Sequence, residues 1–199
     1  MSVSAIEAVC RILDLPIIPP LAEKLAAYAE EICRWNRRVN LTGAKSVSQF
    51  IEGPLFDALT VRPVMAPADT LVDVGSGGGL PGVPIALLEP GIAVTLVEPR
   101  GRRAAFLRHI AHHLDLDLEI MECRAEALPP RRWHSAVSQA VWEPGEWIGR
   151  ARALVSPGGF AYVLSSRDIS DTDIHDIQAR YHCAHPSRPV SRFSFRLVV

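Results

Sequence analysis

LVDVGSGGGLPG, residues Leu71 to Gly82, is the stretch on which the reading of the fold depends. A short apolar run carries an acid, Asp73, near its end and then breaks into five glycines within eight residues. A buried strand passing into a tight turn beneath a ligand reads this way, because glycine accepts positive φ and has no Cβ to hold a ligand off the backbone. The dinucleotide pattern GxGxxG is met imperfectly: Gly75 and Gly77 fit, but Leu80 stands where the third glycine would fall. A pyrophosphate cradle is therefore disfavoured, and a ligand without phosphates is favoured.

Downstream of Asp69, short β-branched runs alternate with helical stretches. Strands are expected at Leu71–Val74, Ala93–Val97, Leu118–Met121, Ser135–Ser138, Ala161–Leu164 and Phe193–Val199. Helices are expected near Gly82–Leu88, Arg102–Leu114 and Glu146–Val155. This alternation implies parallel strands with right-handed crossovers, a doubly wound, mostly parallel α/β sheet. Residues from His182 onward are expected to close it as an antiparallel hairpin.

Upstream the pattern is helical. Leu21, Leu25, Tyr28, Ile32, Trp35 and Val39 recur at intervals of four and three, one face of an amphipathic helix from Pro19 to Val39. Ala5 to Leu15 repeats this more briefly across a proline-rich break. Ser46 is a candidate N-cap, and Pro54 a first-turn residue of a further helix ending near Val61. Residues 1–65 are thus expected to form a helical cap and residues 66–199 the ligand-binding domain, together one compact unit.

Composition sets limits. The 199 residues, 48% apolar and 22% charged, suit one well-buried core. No run approaches the roughly 18 apolar residues of a membrane span, and the N-terminus lacks a signal peptide's features, so a soluble cytoplasmic protein is expected. Cys10, Cys33, Cys123 and Cys183 are scattered without metal-ligand spacing and read as packing residues, so no metal is expected. A net charge of −1 means that affinity for nucleic acid has to come from a local patch.

Two acids follow the turn. Glu98 ends the second expected strand, about twenty residues on, where a carboxylate accepts both hydroxyls of a ribose; the alternative is a solvated acid at a strand end. CRAEAL, Cys123 to Leu128, follows the third strand, where backbone amides and an acid can read an adenine edge, or Arg124 and Glu126 form a surface pair. A glycine turn, an acid and a short acidic loop in that order suit a Rossmann-like, class I methyltransferase holding S-adenosylmethionine. Such an enzyme needs mainly to place a nucleophile in line with the methyl group and exclude water.

Four segments make the likeness specific: WNRRVNLT (Trp35–Thr42), DVGSGGGLPGVPIAL (Asp73–Leu87), LVEPRGRRAAFLR (Leu96–Arg108) and CRAEAL. Together they resemble the RsmG (GidB) family of bacterial methyltransferases, which make 7-methylguanosine in small-subunit ribosomal RNA, from about Leu25 to Leu164. The resemblance implies that Asp73, Gly75, Ser76, Gly77 and Leu80 shape the cofactor turn. It further implies that Glu98 holds the ribose and that Ala125 and Glu126 line the adenine, with Gln139 beside the cofactor. Asn40, Thr42 and Gln139 would be the polar groups near methyl transfer, though Asn40 and Thr42 also suit a helix C-cap and a following N-cap. Ribosomal RNA or the small subunit would be the partner.

The chain also departs from that family. Its SRA segment reads SQA, with Gln139 for the arginine; its lysine–glycine pair reads Ser165 and Ser166; its arginine–histidine pair ahead of Asp57 reads Gly53 and Pro54. Each lost residue is a cation or potential cation on the substrate side. Hydrogen bonds to charged groups contribute roughly 1.5–3 kcal/mol each, so two or three losses matter. Arg34, Arg37, Arg38, Arg100, Arg131 and Arg132 compensate if they share a face, and Arg102 and Arg103 at a helix start are further candidates for phosphate. The alternatives are a diverged paralogue acting on a small molecule or protein, or a cofactor-binding module without catalysis.

Overall fold

The computed structural model describes residues 2–169, 177–184 and 191–199. Within them one sheet is built from β1 (Thr70–Val74), β2 (Ala93–Val97), β3 (Leu118–Met121), β4 (Trp133–Ser138), β5 (Val155–Ser165), β6 (Ile177–Ala184) and β7 (Ser191–Val198). Their order across the sheet is β3-β2-β1-β4-β5-β7-β6. The first five run parallel, and β7 inserts antiparallel between β5 and β6. Strand order reverses between β1 and β4, so the crevice outside their carboxyl ends is where such a sheet binds its ligand.

Helices cover both faces: α1 (Ser2–Ile12), α2 (Pro19–Asn36), α3 (Val47–Phe50), α4 (Phe56–Leu59), α5 (Gly82–Leu88), α6 (Gly101–Leu114) and α7 (Pro144–Leu154). The strand period of two sorts the core. Leu71 and Leu96 face one layer with Leu25, Tyr28 and Ile32 of α2 and Phe106 of α6. Val72, Val74 and Val97 face the other with Trp147 and Ala151 of α7. The N-terminal helices thus pack directly on one face of the sheet.

The α2 stripe is buried at Leu25, Tyr28 and Ile32, but the helix ends at Asn36, three residues short of Val39. The cause is the Asn36 side chain. Its Oδ1 accepts the Leu41 and Thr42 amides at 2.8 and 3.0 Å, and its Nδ2 donates to the Thr42 carbonyl at 2.8 Å. These bonds fold residues 37–44 back as a turn instead of a further helical turn.

Ser46 caps α3 as expected, accepting the Gln49 amide at 3.2 Å. Pro54 is not a first-turn residue. The helical stretch begins at Val47, so Pro54 falls in its interior, within a wide π-type turn over Ile51–Leu55. Proline has no N–H and its ring crowds the preceding turn, and a widened turn accommodates both. The stretch ends at Leu59, near Val61 as expected, and is followed by a 3₁₀ turn over Arg62–Val64.

The closing hairpin is larger than expected, since β6 begins at Ile177, not near His182. The connection at 185–190 lies outside the described residues. Among the described residues no helix is long and apolar enough to cross a membrane. All four cysteines are free, and burial pushes the Cys10 thiol up to about 11.

Candidate active site

The turn after β1 is stitched to the end of β2. The Gly75 and Ser76 amides donate to the Val97 carbonyl at 2.8 and 3.0 Å, and the Ser76 hydroxyl accepts the Val97 amide and donates to the Asp73 carbonyl. Gly75 has a φ of 79°, and a Cβ there would lie 2.6 Å from Val141. Any other residue would be strained in the backbone and would push into the wall opposite. Sequence position and close approach thus agree on why this residue is glycine.

Asp73 is fully buried behind the turn, its Oδ2 accepting the Gly82 amide at 3.0 Å at the start of α5. Its Oδ1 is buried without a partner. Burial pushes the carboxyl up to about 8, the nearby Glu98 charge adds to this, and hydrogen bonds from Gly82 and Ser76 oppose it. Tyr28 of α2 donates to the Gly78 carbonyl at 2.8 Å, so the turn is also held from the helical layer.

Glu98, just past β2, is 3% exposed. Its Oε2 accepts the Gly77 amide at 3.0 Å and its Oε1 accepts the Arg100 amide at 2.9 Å. A carboxylate offers about four acceptor positions, so two stay available toward the crevice.

A cleft of about 480 Å³ opens here, lined by Gly75, Glu98, Pro99, Arg100, Arg103, Cys123, Arg124, Ala125, Glu126, Val141 and Trp142 among others. Of the residues expected to hold a cofactor, the fold gathers Gly75, Glu98, Ala125 and Glu126 around this one space. Asp73 and Ser76 stand behind it as braces. Leu80, half-buried, packs against the helical-side core and does not line the cleft. Gly77 sits at its edge, where a Cβ would lie 3.6 Å from the Arg103 guanidinium.

The far wall was not foreseen. Trp142 stacks on Trp147 with centroids 5.6 Å apart, and Arg150 of α7 lies over Trp142 at 5.0 Å while donating to Glu126 at 2.9 Å. Glu146 and Arg150, one turn apart on α7, are its only sequence signal, since Trp142 precedes the helix.

Asn40 and Thr42 line neither this cleft nor the cavity beside it. The Asn40 carbonyl accepts Arg103 Nη2 at 2.6 Å, which ties the segment to the glycine turn through α6. The Thr42 hydroxyl accepts the Ala44 amide at 3.2 Å.

Gln139 lines that adjoining cavity, of about 500 Å³, with Asp57, Thr60, Ala140, Glu143, Ser165, Ser166, Arg167, Arg192 and Phe193. The two spaces share the loop at 139–142 as their partition: Gln139 and Ala140 face one, Val141 and Trp142 the other. Ala140 holds a left-handed φ of 57°, unusual for alanine and of the kind that clusters at functional sites. Of the positions where cations are missing, Gln139 and Ser165 border this cavity, as does the neighbouring Ser166; Gly53 and Pro54 do not.

Arg34, Arg37 and Arg38 do come together, lining one groove with Trp35 and Val39. Lys45 borders the adjacent depression with Arg34 and Arg37. Arg131 and Arg132 do not join them. They precede β4 and so lie at the amino ends of the strands, away from the cleft, where Arg132 pairs with Glu119 at 2.7 Å.

A family model described as GidB, rRNA small subunit methyltransferase G, matches residues 21–186. Ribosomal RNA small subunit methyltransferase G of Anaeromyxobacter sp. (strain Fw109-5) is 33% identical over 189 residues, covering 93% of this chain and 87% of that one. The protein of the same name from Halorhodospira halophila is 36% identical over 160 residues, 80% of this chain and 76% of its own. Among solved structures, P. horikoshii TYW2 in complex with MeSAdo superposes with a TM-score of 0.55 at 14% identity, over 74% of this chain and 61% of that one, a likeness of fold. On the family match and the identity to these relatives, the chain belongs to the rRNA small subunit methyltransferase G family.

Proposed function

We propose that this S-adenosylmethionine-dependent rRNA methyltransferase delivers its methyl group to N7 of a guanine in small-subunit ribosomal RNA. The observation that carries the reading is the convergence of Gly75, Glu98, Ala125 and Glu126 on one cleft at the strand-order reversal. The residues fit the cofactor. The cradle at Gly75 is one that a Cβ would fill, and Glu98 keeps acceptor positions for a ribose diol. Ala125 and Glu126 would border the adenine, closed in by the Trp142–Arg150 wall. When bound, S-adenosylmethionine supplies an electrophilic methyl group on a sulfonium.

Guanine N7 is nucleophilic without losing a proton, so no general base is required of the chain. The work left to its residues is orientation and exclusion of water. Val141 and Trp142 stand between the cleft and the adjoining cavity, where a base would have to approach in line. The groove of Arg34, Arg37 and Arg38 offers cations to the RNA backbone.

Incubation of the chain with undermethylated small subunits and methyl-labelled cofactor tests this: label should enter the RNA fraction, and RNA without label would refute it. A second reading, methylation of a small molecule or a protein, draws on the cation-free Gln139 and Ser165 in the cavity. Under it, label enters another fraction, and Q139R with S165K restores transfer to RNA.

A further inference from the structure

The adjoining cavity has a polar array of its own. Arg192 at the start of β7 donates from Nε to Asp57 Oδ1 at 2.6 Å across 135 residues of chain. Their side chains are only 17% and 20% exposed. The pair is held from both sides. Thr60, one turn on from Asp57, donates to the Asp57 carbonyl at 2.6 Å and meets the Ser194 hydroxyl of β7 at 2.9 Å. Arg192 Nη1 donates to the Ser191 carbonyl at 3.2 Å.

Among the described residues, Asp57 Oδ2 and Arg192 Nη2 have no further partner. They therefore present an acceptor beside a donor, fixed in place, to a cavity of about 500 Å³. That volume lies within the roughly 300–1,000 Å³ of small-ligand sites. A second acceptor, Gln139 Oε1, is buried without a partner in the wall on the cofactor side. Phe193, paired with Ser165 in the β5–β7 register and stacked on His182 at 4.6 Å, supplies an apolar wall.

We propose that Asp57 and Arg192 together read the Watson–Crick edge of an extruded guanine, an assignment that rests on the methyltransferase reading above. Guanine offers an acceptor, O6, beside two donors, N1–H and the N2 amino group. Arg192 Nη2 donates to the first and Asp57 Oδ2 accepts from the others. Adenine presents the reverse at these positions and sets its N1 lone pair against the carboxylate, which costs affinity. In guanine N7 lies on the Hoogsteen edge, beside O6 and apart from N1 and N2. A guanine seated on Asp57 and Arg192 therefore leaves N7 uncontacted by the pair, within the cavity that Gln139 and Ala140 of the partition also line.

The test uses the full chain saturated with S-adenosylhomocysteine and titrated with guanosine, inosine and adenosine 5′-monophosphates, followed by nuclear magnetic resonance of the Gln139 side-chain amide and the Phe193 ring. The guanine nucleotide is expected to bind about tenfold or more tighter than the adenine nucleotide, with inosine between them because it lacks N2. In D57N that preference collapses or inverts while affinity for S-adenosylhomocysteine is kept, which also shows that the variant is folded. Q139A, which leaves the Asp57–Arg192 pair intact, weakens all three nucleotides and keeps their order. A guanine preference that survives D57N, or nucleotides that leave the Gln139 and Phe193 signals unmoved, overturns the proposal. RNA methylation by the wild type with D57N equally active on guanine refutes the assignment and leaves the methyltransferase reading standing. Selective guanine binding without RNA methylation does the opposite.

Discussion

The Gly77 amide donates to Glu98 Oε2 at 3.0 Å, so the glycine turn and the acid after the next strand are one unit, closed before any ligand arrives. Because Glu98 Oε1 holds the Arg100 amide at 2.9 Å, the carboxylate cannot swing to follow a ligand. Its remaining acceptor positions are fixed relative to the turn, which is preorganisation of the kind that lowers the cost of binding.

E98Q keeps one oxygen acceptor and removes the charge. Affinity for S-adenosylmethionine by calorimetry should fall roughly 10- to 150-fold, the equivalent of about 1.5–3 kcal/mol for a hydrogen bond to a charged group. Unchanged affinity would place the ribose elsewhere.

G75A strains a residue at a φ of 79° and drives its methyl toward Val141 at 2.6 Å. A backbone cost of about 1–2 kcal/mol is expected from urea unfolding, together with loss of cofactor binding. Pairing G75A with V141A should recover part of the binding and none of the backbone cost. Full recovery of both would show that φ is not the constraint.

Asp73 makes stability depend on pH in an unusual direction. Burial raises its carboxyl from 3.8 to about 8, so between those values the folded chain keeps a proton that the unfolded chain releases. The stability this contributes is fully present below about pH 4 and is lost as pH rises through about 8, by up to roughly 1.4 kcal/mol per pH unit. D73N cannot ionise, so the difference in unfolding free energy between wild type and D73N should shift steadily in the variant's favour from pH 5 to pH 8. A difference that stays constant with pH would mean that Asp73 is ionised throughout.

The Arg34, Arg37 and Arg38 groove separates RNA docking from chemistry. Replacing all three by glutamine should weaken binding to small-subunit RNA and flatten its dependence on salt, the slope falling by about one for each phosphate no longer neutralised. Cofactor affinity should not change. An unaltered salt slope would exclude this face from the RNA interface.

Much of this was legible from the chain because it is local. The strand-turn-helix logic of Leu71–Gly82 and the position of Glu98 depend on residues close in sequence, and each strand buried on both faces announced itself as an apolar run. What escaped was tertiary. The edge strand β6 alternates half-buried and exposed residues among Arg180, Tyr181 and His182, and only pairing with β7 makes it a strand. The WNRRVNLT segment drew attention to Asn40 and Thr42, whereas Asn36 makes the hydrogen bonds that shape it. Asp57 and Arg192 meet across 135 residues, a distance no local pattern reports.

The central claim is the methylated atom. Small-subunit RNA treated with the chain and S-adenosylmethionine, digested to nucleosides and resolved by mass spectrometry, should yield 7-methylguanosine above the untreated control. A methyl group on any other nucleoside or ring position, or none at all, would contradict it.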